Sequence, residues 1–193
     1  MTERSGIMIT RNAFLCAAIL CLGAASAGAQ QHVLSLWASE EMFACDVLHE
    51  EPNIPFDVYV FIDPGPDGVY AVEYKLEILP GHYSTQMTIA PIVAGATVGS
   101  WIGSPGINAP FNSCQTELTW IVNFTMMAPD IEPGFYTFGP FENSGAIQAA
   151  TCAGLRPFEP AAAYNVFGYN ESCMWYHANE TSSWGAIKSQ FND

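Results

Sequence analysis

Positive charge is nearly missing from this chain: five Lys and Arg stand against 19 Asp and Glu in 193 residues, a formal net charge of −14. A surface of that sign repels nucleic-acid phosphates and anionic lipid, so neither is an expected partner. The common catalytic and cofactor signatures are missing as well. Ser100 and Ser104 directly follow Gly99 and Gly103, so neither sits in a G-x-S-x-G elbow. His49-Glu50-Glu51-Pro52 begins like H-E-x-x-H but meets a proline that the required helix does not tolerate. There is no P-loop and no C-x-x-C pair, and no internal repeat, heptad pattern or low-complexity tract. Gly95, Gly99 and Gly103 recur every fourth residue, but outside a long apolar helix that spacing is not a membrane packing motif. No catalytic residue, cofactor ligand or metal ligand is assigned on this basis.

What is present begins with residues 1–29, which read as a secretory signal. Arg4 and Arg11 supply a positive n-region, Ala13 to Ala24 an apolar stretch, and Ala27-Gly28-Ala29 a small-x-small cleavage site before Gln30. The apolar run is too short to remain as a stable membrane span. The expected product is secreted or extracellular, with the periplasm as an alternative. Residues 30–173 are expected to form one domain and residues 174–193 a tail. Such a length buries roughly 70% of the surface that the unfolded chain exposes, enough for an apolar core.

Cys45, Cys114, Cys152 and Cys173 follow the signal, and an even count in an exported chain favours two disulfides over a metal site. Three connectivities are open. The expected one joins Cys152 to Cys173, as neighbours flanking one strand pair, and leaves Cys45 to Cys114. On the chain-entropy model the short loop contributes about 3 kcal/mol and the long one about 4 kcal/mol.

The body of the chain reads as strands. Val33 to Trp37 and Phe56 to Ile62 are short apolar runs, and Asp63-Pro64-Gly65-Pro66-Asp67-Gly68 after them reads as a hairpin turn. In the next segment Val72, Tyr74, Leu76 and Ile78 alternate with Glu73, Lys75 and Glu77, which predicts one buried and one wet face. Leu118, Trp120, Val122, Phe124 and Met126 likewise share a face, making Trp120 a core residue. Further short β-rich runs cover Ser84 to Ile89, Gly134 to Phe138, Ile147 to Cys152 and Tyr164 to Phe167, between Pro, Gly and Asn clusters. The fold class expected is all-β: an antiparallel, immunoglobulin-like β-sandwich with a short C-terminal helical segment.

The path from VLSLW through a cysteine to FDVYVFI and GVYAVEYKLEI, then a cysteine before LTWIVNF and cysteines closing IQAATC and YNESC, resembles a group of small exported bacterial proteins. GVYAVEYKLEI is also similar to the early strands of cohesin-like immunoglobulin sandwiches. The resemblance implies a fold and an extracellular setting and carries over no catalytic residue. The cysteines depart from the cohesin pattern, which speaks against dockerin binding.

Isolated candidates remain. His32, His49, His82 and His177 read as single, solvent-exposed side chains, and Asp46, His49, Glu50 and Glu51 as an acidic loop. Asp63, Asp67 and Gly68 match part of a calcium loop, but Gly65 and Tyr74 stand where ligands are needed, so a turn is the better reading. Sequons at Asn123, Asn170 and Asn179 are taken as accidental. Trp101, Trp175 and Tyr176 are the aromatics that could touch a ligand such as a sugar ring. After Thr181-Ser182-Ser183, the residues Trp184, Ile187 and Phe191 form a helical stripe that would pack on the sandwich or serve as a docking tag. The function expected is a secreted, non-enzymatic interaction or structural module with an extracellular protein or glycan partner. A carbohydrate-binding module is the alternative, and a carboxylate hydrolase is disfavoured for want of a recognisable acid pair.

Overall fold

The computed structural model of the protein describes residues 32–95, 97–152 and 158–175, with only the backbone of Trp175. Its strands in chain order are β1 (Val33–Trp37), β2 (Asp46–Val47), β3 (Phe56–Asp63), β4 (Val69–Glu77), β5 (Tyr83–Ile89), β6 (Val98–Gly99) and β7 (Ile107–Gln115), followed by β8 (Thr119–Met127), β9 (Gly134–Gly139), β10 (Gln148–Thr151), β11 (Glu159–Pro160), β12 (Ala162–Ala163), β13 (Asn165–Tyr169) and β14 (Met174–Trp175). One sheet has the order β12-β1-β3-β8-β5. The other runs β11-β10-β4-β9-β13-β14, with β7 on β4, β6 on β7 and β2 on β13.

Period-two patterning explains the core. In β3, Val58, Val60 and Ile62 turn inward beside Leu34 and Leu36 of β1 and beside Val122 and Phe124 of β8, and all are buried. Val72, Tyr74 and Leu76 of β4 face them from the second sheet with Ile107, Ala109 and Phe111 of β7 and with Tyr136, Phe167 and Tyr169. Each large apolar side chain so enclosed contributes on the order of 1.5–3 kcal/mol relative to exposure. β9 and β10 pair consecutive stretches of β4, Glu77 to Lys75 and then Glu73 to Val69, across a small loop closed by the Phe141–Ala146 bridge.

Several expectations are corrected. The sheets are mixed, because β1 pairs β12 in parallel and β2 pairs β13 in parallel: late segments return alongside early ones in the same direction. The turn at 64–68 does not join a hairpin, since β3 and β4 lie in different sheets; it carries the chain between them, with the Gly68 N–H donating to the Gly65 carbonyl. β7 is a nine-residue strand, containing Pro110, that the sequence reading did not include. The proline is accommodated where the β4–β7 register shifts, the place a residue without N–H fits. In β8 a register shift opposite Val60 and Phe61 brings Ile121 into the core with Val122, while Leu118 stays outside the strand at 45% exposure. Trp120 is half-buried and packs against the core cluster, but the same shift pairs it with Phe61, on the side of the sheet opposite Val60 and Val122, so it does not share their face as the spacing predicted.

The cysteine pairing is also different: the bridges are Cys45–Cys173 and Cys114–Cys152, with Cα separations of 5.6 and 5.7 Å. After β13, Asn170 adopts φ 50° and the chain doubles back past β2, so Cys173 meets Cys45. Cys114 and Cys152 come from β7 and the end of β10, the two strands that pair with the start of β4, and their bond passes over Gly68. A Cβ at Gly68 would lie 2.7 Å from the Cys114 Sγ and 3.1 Å from the Cys152 Sγ, and φ is +68°, so only glycine fits under the bridge.

Candidate interaction face

Because β4 alternates, Glu73 points to the side opposite Val72 and Tyr74. The sequence reading placed it on a wet face, yet it is 6% exposed. Its register partners explain this. Asn108 of β7 lies opposite it on one side and Gln148 of β10 on the other. The Asn108 Nδ2 donates to Oε1 and the Gln148 Nε2 to Oε2, each at 2.6 Å. One carboxylate is thereby clamped between two amides across three strands, and charge-assisted bonds of this kind are the stronger ones.

The row continues to Val98 of β6 beside Asn108 and to Pro160 of β11 beside Gln148. Val98 is 60% exposed. A second row, Ala150, Ala71 and Pro110, is made of small side chains. On the other side lies Lys75, whose Nζ contacts the Glu77 carboxylate at 2.8 Å, and that hydrogen bond holds the ammonium above its ordinary range. The carbonyl oxygens of Asn108 and Gln148 and the remaining lone pairs of Glu73 are acceptors, so the face suits a partner bringing hydroxyl, amide or ammonium donors. Glu73 is held by amides rather than by a second carboxylate, which is not the arrangement of an acid pair.

Of the possible ligand contacts and docking residues singled out from the sequence, the described residues include Trp101 and the backbone of Trp175. Trp101 is 9% exposed and lines a cleft of ≈ 400 Å³ with Ser84, Met87, Ile102 and Phe124. The backbone of Trp175 pairs with Asn165 in β14. Tyr176, Trp184, Ile187 and Phe191, with the expected C-terminal helix, lie outside the described residues, as do His177 and Asn179. Among the described residues no group of three or more His, Cys, Asp or Glu is arranged to hold a metal.

Two histidines expected on the surface are buried. His32 accepts the Gly65 N–H at Nδ1 at 2.9 Å. His82 Nδ1 is 2.6 Å from the Tyr136 hydroxyl, and its ring meets Tyr169 edge-on at 4.8 Å. Burial pulls both imidazoles below their ordinary range, against the opposing pull of Glu159 and Asp67 at His32 and of Asp130 at His82. Burial pushes the Tyr136 hydroxyl far up, so it stays protonated, and which of the two groups donates is set by the His82 tautomer. The His49 ring packs on Phe56 and Tyr169, and its backbone N–H donates to the Asn170 side chain.

The buried Glu73 was the one site feature the sequence reading missed, and no motif marks it. Its signal is an acid in mid-strand whose neighbours on both flanking strands are amides, a pattern visible only once the register is known.

No protein-family model matches the chain, and no curated protein matches it. Two solved structures are similar in fold. The seventh ScaB type I cohesin from Pseudobacteroides cellulosolvens is 10% identical, with 79% of this chain and 98% of that chain covered at a TM-score of 0.51. A chain of a type I cohesin–dockerin complex from Clostridium thermocellum is 8% identical, with 69% and 88% covered at a TM-score of 0.49. The likeness to the ScaB cohesin shows the fold of this chain to be a cohesin-like β-sandwich.

Proposed function

We propose that the chain is an exported, non-enzymatic interaction module that holds a protein partner on the face centred on Glu73. The single observation that carries this reading is the Asn108–Glu73–Gln148 row, a buried and pre-oriented acceptor set on the side of the sheet away from the core. Pre-orientation lowers the ordering cost of binding, and the row of small residues on one side of Glu73 leaves room for a partner's side chains. The cohesin-like sandwich and the two disulfides support the reading, since disulfides persist in oxidising compartments. In the same proposal residues 1–29 are a signal removed before Gln30, residues 30–173 the module and residues 174–193 a tail.

The test is affinity capture from the culture medium of the source cells, with soluble and insoluble polysaccharides assayed in parallel. The variants Val98→Asp and Gln148→Ala are used at matched melting temperature. The expected outcome is a defined protein bound in fixed ratio, weakened about tenfold or more by either substitution. Retention on polysaccharide that both variants preserve would replace this reading with the glycan one. Mass spectrometry of the exported protein should find its first residue at or next to Gln30.

A further inference from the structure

We propose that β5 is where a second copy of this chain docks, the two β5 strands pairing antiparallel about a two-fold axis, at a place separate from the Glu73 face. β5 ends its sheet, and among the described residues no strand pairs with its outer edge. Such an edge presents unpaired N–H and C=O groups, a template for another strand. Proteins blunt free edges with lysine, proline or bulges. β5 has neither lysine nor proline, and its one irregularity, at Thr85 between the pairs Ser84–Met126 and Gln86–Thr125, leaves Gln86 to Ile89 regular.

Burial gives a second, independent observation. Met87 lies opposite Phe124 and Ile89 opposite Val122, so both turn toward the core side. They nevertheless remain 44% and 39% exposed, and Met87 borders the cleft lined by Trp101. The apolar interior is therefore incomplete along this edge.

Charge selects the occupant. Between Glu77 and Glu117 the sequence contains no Asp, Glu, Lys or Arg, and that stretch holds β5, β6 and β7; β8, which pairs with β5, is also uncharged. Two copies of a chain with net charge −14 repel one another, and an edge at which neither β5 nor β8 carries an acid lets them meet with the nearest strands uncharged. An identical strand running antiparallel satisfies the symmetry of an isologous contact, in which one patch serves both copies.

The experiment is sedimentation analysis of the purified native protein over a concentration series reaching about 1 mM, at low and high salt, with amide hydrogen exchange of Gln86 to Ile89. Expected are a monomer–dimer equilibrium that strengthens with salt and protection of those amides that rises with dimer fraction. Thr88→Glu sets two carboxylates near the axis and should weaken the dimer at least about tenfold. Tyr70→Glu, which adds the same charge on β4, should change it less than about twofold. A monomer throughout, or a dimer indifferent to Thr88→Glu or weakened equally by both variants, overturns the proposal. Amides that become protected only when a different protein is added also overturn it, and assign the edge to that protein's strand.

Discussion

The side chain of Asn165 carries out both halves of a β-pair with Leu36, from 129 positions away in the chain: its Oδ1 accepts the Leu36 N–H at 2.8 Å and its Nδ2 donates to the Leu36 carbonyl at 2.7 Å. β12 pairs with Val33 and Leu34 of β1, and then the chain leaves for the other sheet at Asn165. A fully buried amide thus completes the edge that the departing backbone abandons. Asn165→Leu should cost about 2–5 kcal/mol, because two buried backbone groups of Leu36 lose their partners. Asn165→Asp should cost at least as much, keeping the acceptor but losing the donor and burying a charge. Urea unfolding at neutral pH measures both, and a loss below about 0.5 kcal/mol for either would count against this role.

The bridge over Gly68 gives a sharper prediction. Non-reducing peptide mapping should recover Cys45 with Cys173 and Cys114 with Cys152. Gly68→Ala drives a methyl into the Cys114 and Cys152 sulfurs at a positive φ. It should lower stability by about 2 kcal/mol or more and raise the fraction of free thiol at those two cysteines. Replacing Cys114 and Cys152 together by Ala should cost about 4 kcal/mol on the chain-entropy model, and the Gly68→Ala penalty should shrink in that background. An undiminished penalty would place the strain elsewhere.

Acid should begin to weaken the fold just below the ordinary histidine value. His32 and His82 have folded-state affinities for protons lowered by burial, against an ordinary value of 6.5. The unfolded chain therefore binds more protons as pH falls below 6.5, and stability declines from there down through the folded values, below which the slope vanishes. Each histidine contributes at most about 1.4 kcal/mol per pH unit within that window. Melting temperature followed from pH 8 to 5 should fall below about pH 6.5, and less steeply in His82→Gln. A flat profile there would mean that neither imidazole is neutral because of the fold.

Much of the strand inventory was legible because alternation reports burial: Val33 to Trp37 coincides with β1, and Val72, Tyr74 and Leu76 were assigned to the core from their spacing. What alternation does not report is partnership. Glu73 satisfies the pattern of a wet residue, and only the arrival of Asn108 and Gln148, 35 and 75 positions away, buries it. Pairing of the cysteines failed for the same reason: sequence proximity put Cys152 with Cys173, whereas the return of β13 past β2 sets Cys45 beside Cys173. β7 was not among the predicted strands; it carries Pro110, whose missing N–H matters less where the ladder is already interrupted. His32 and His82 carry no local cue at all, since their burial comes from the turn at Gly65 and from the rings of Tyr136 and Tyr169.

The Cys45–Cys173 bond has a mechanical consequence. It closes a covalent loop spanning 128 positions that contains every strand from β2 to β13. Tension applied on either side of the module enters before Cys45, crosses the sulfurs and leaves after Cys173, bypassing everything between. Pulled this way, β1 and β14 are the only described strands in the line of force, and the contour length released on stretching should lack the enclosed segment until the bond is reduced. A module that tethers one object to another would keep its Glu73 face intact under load.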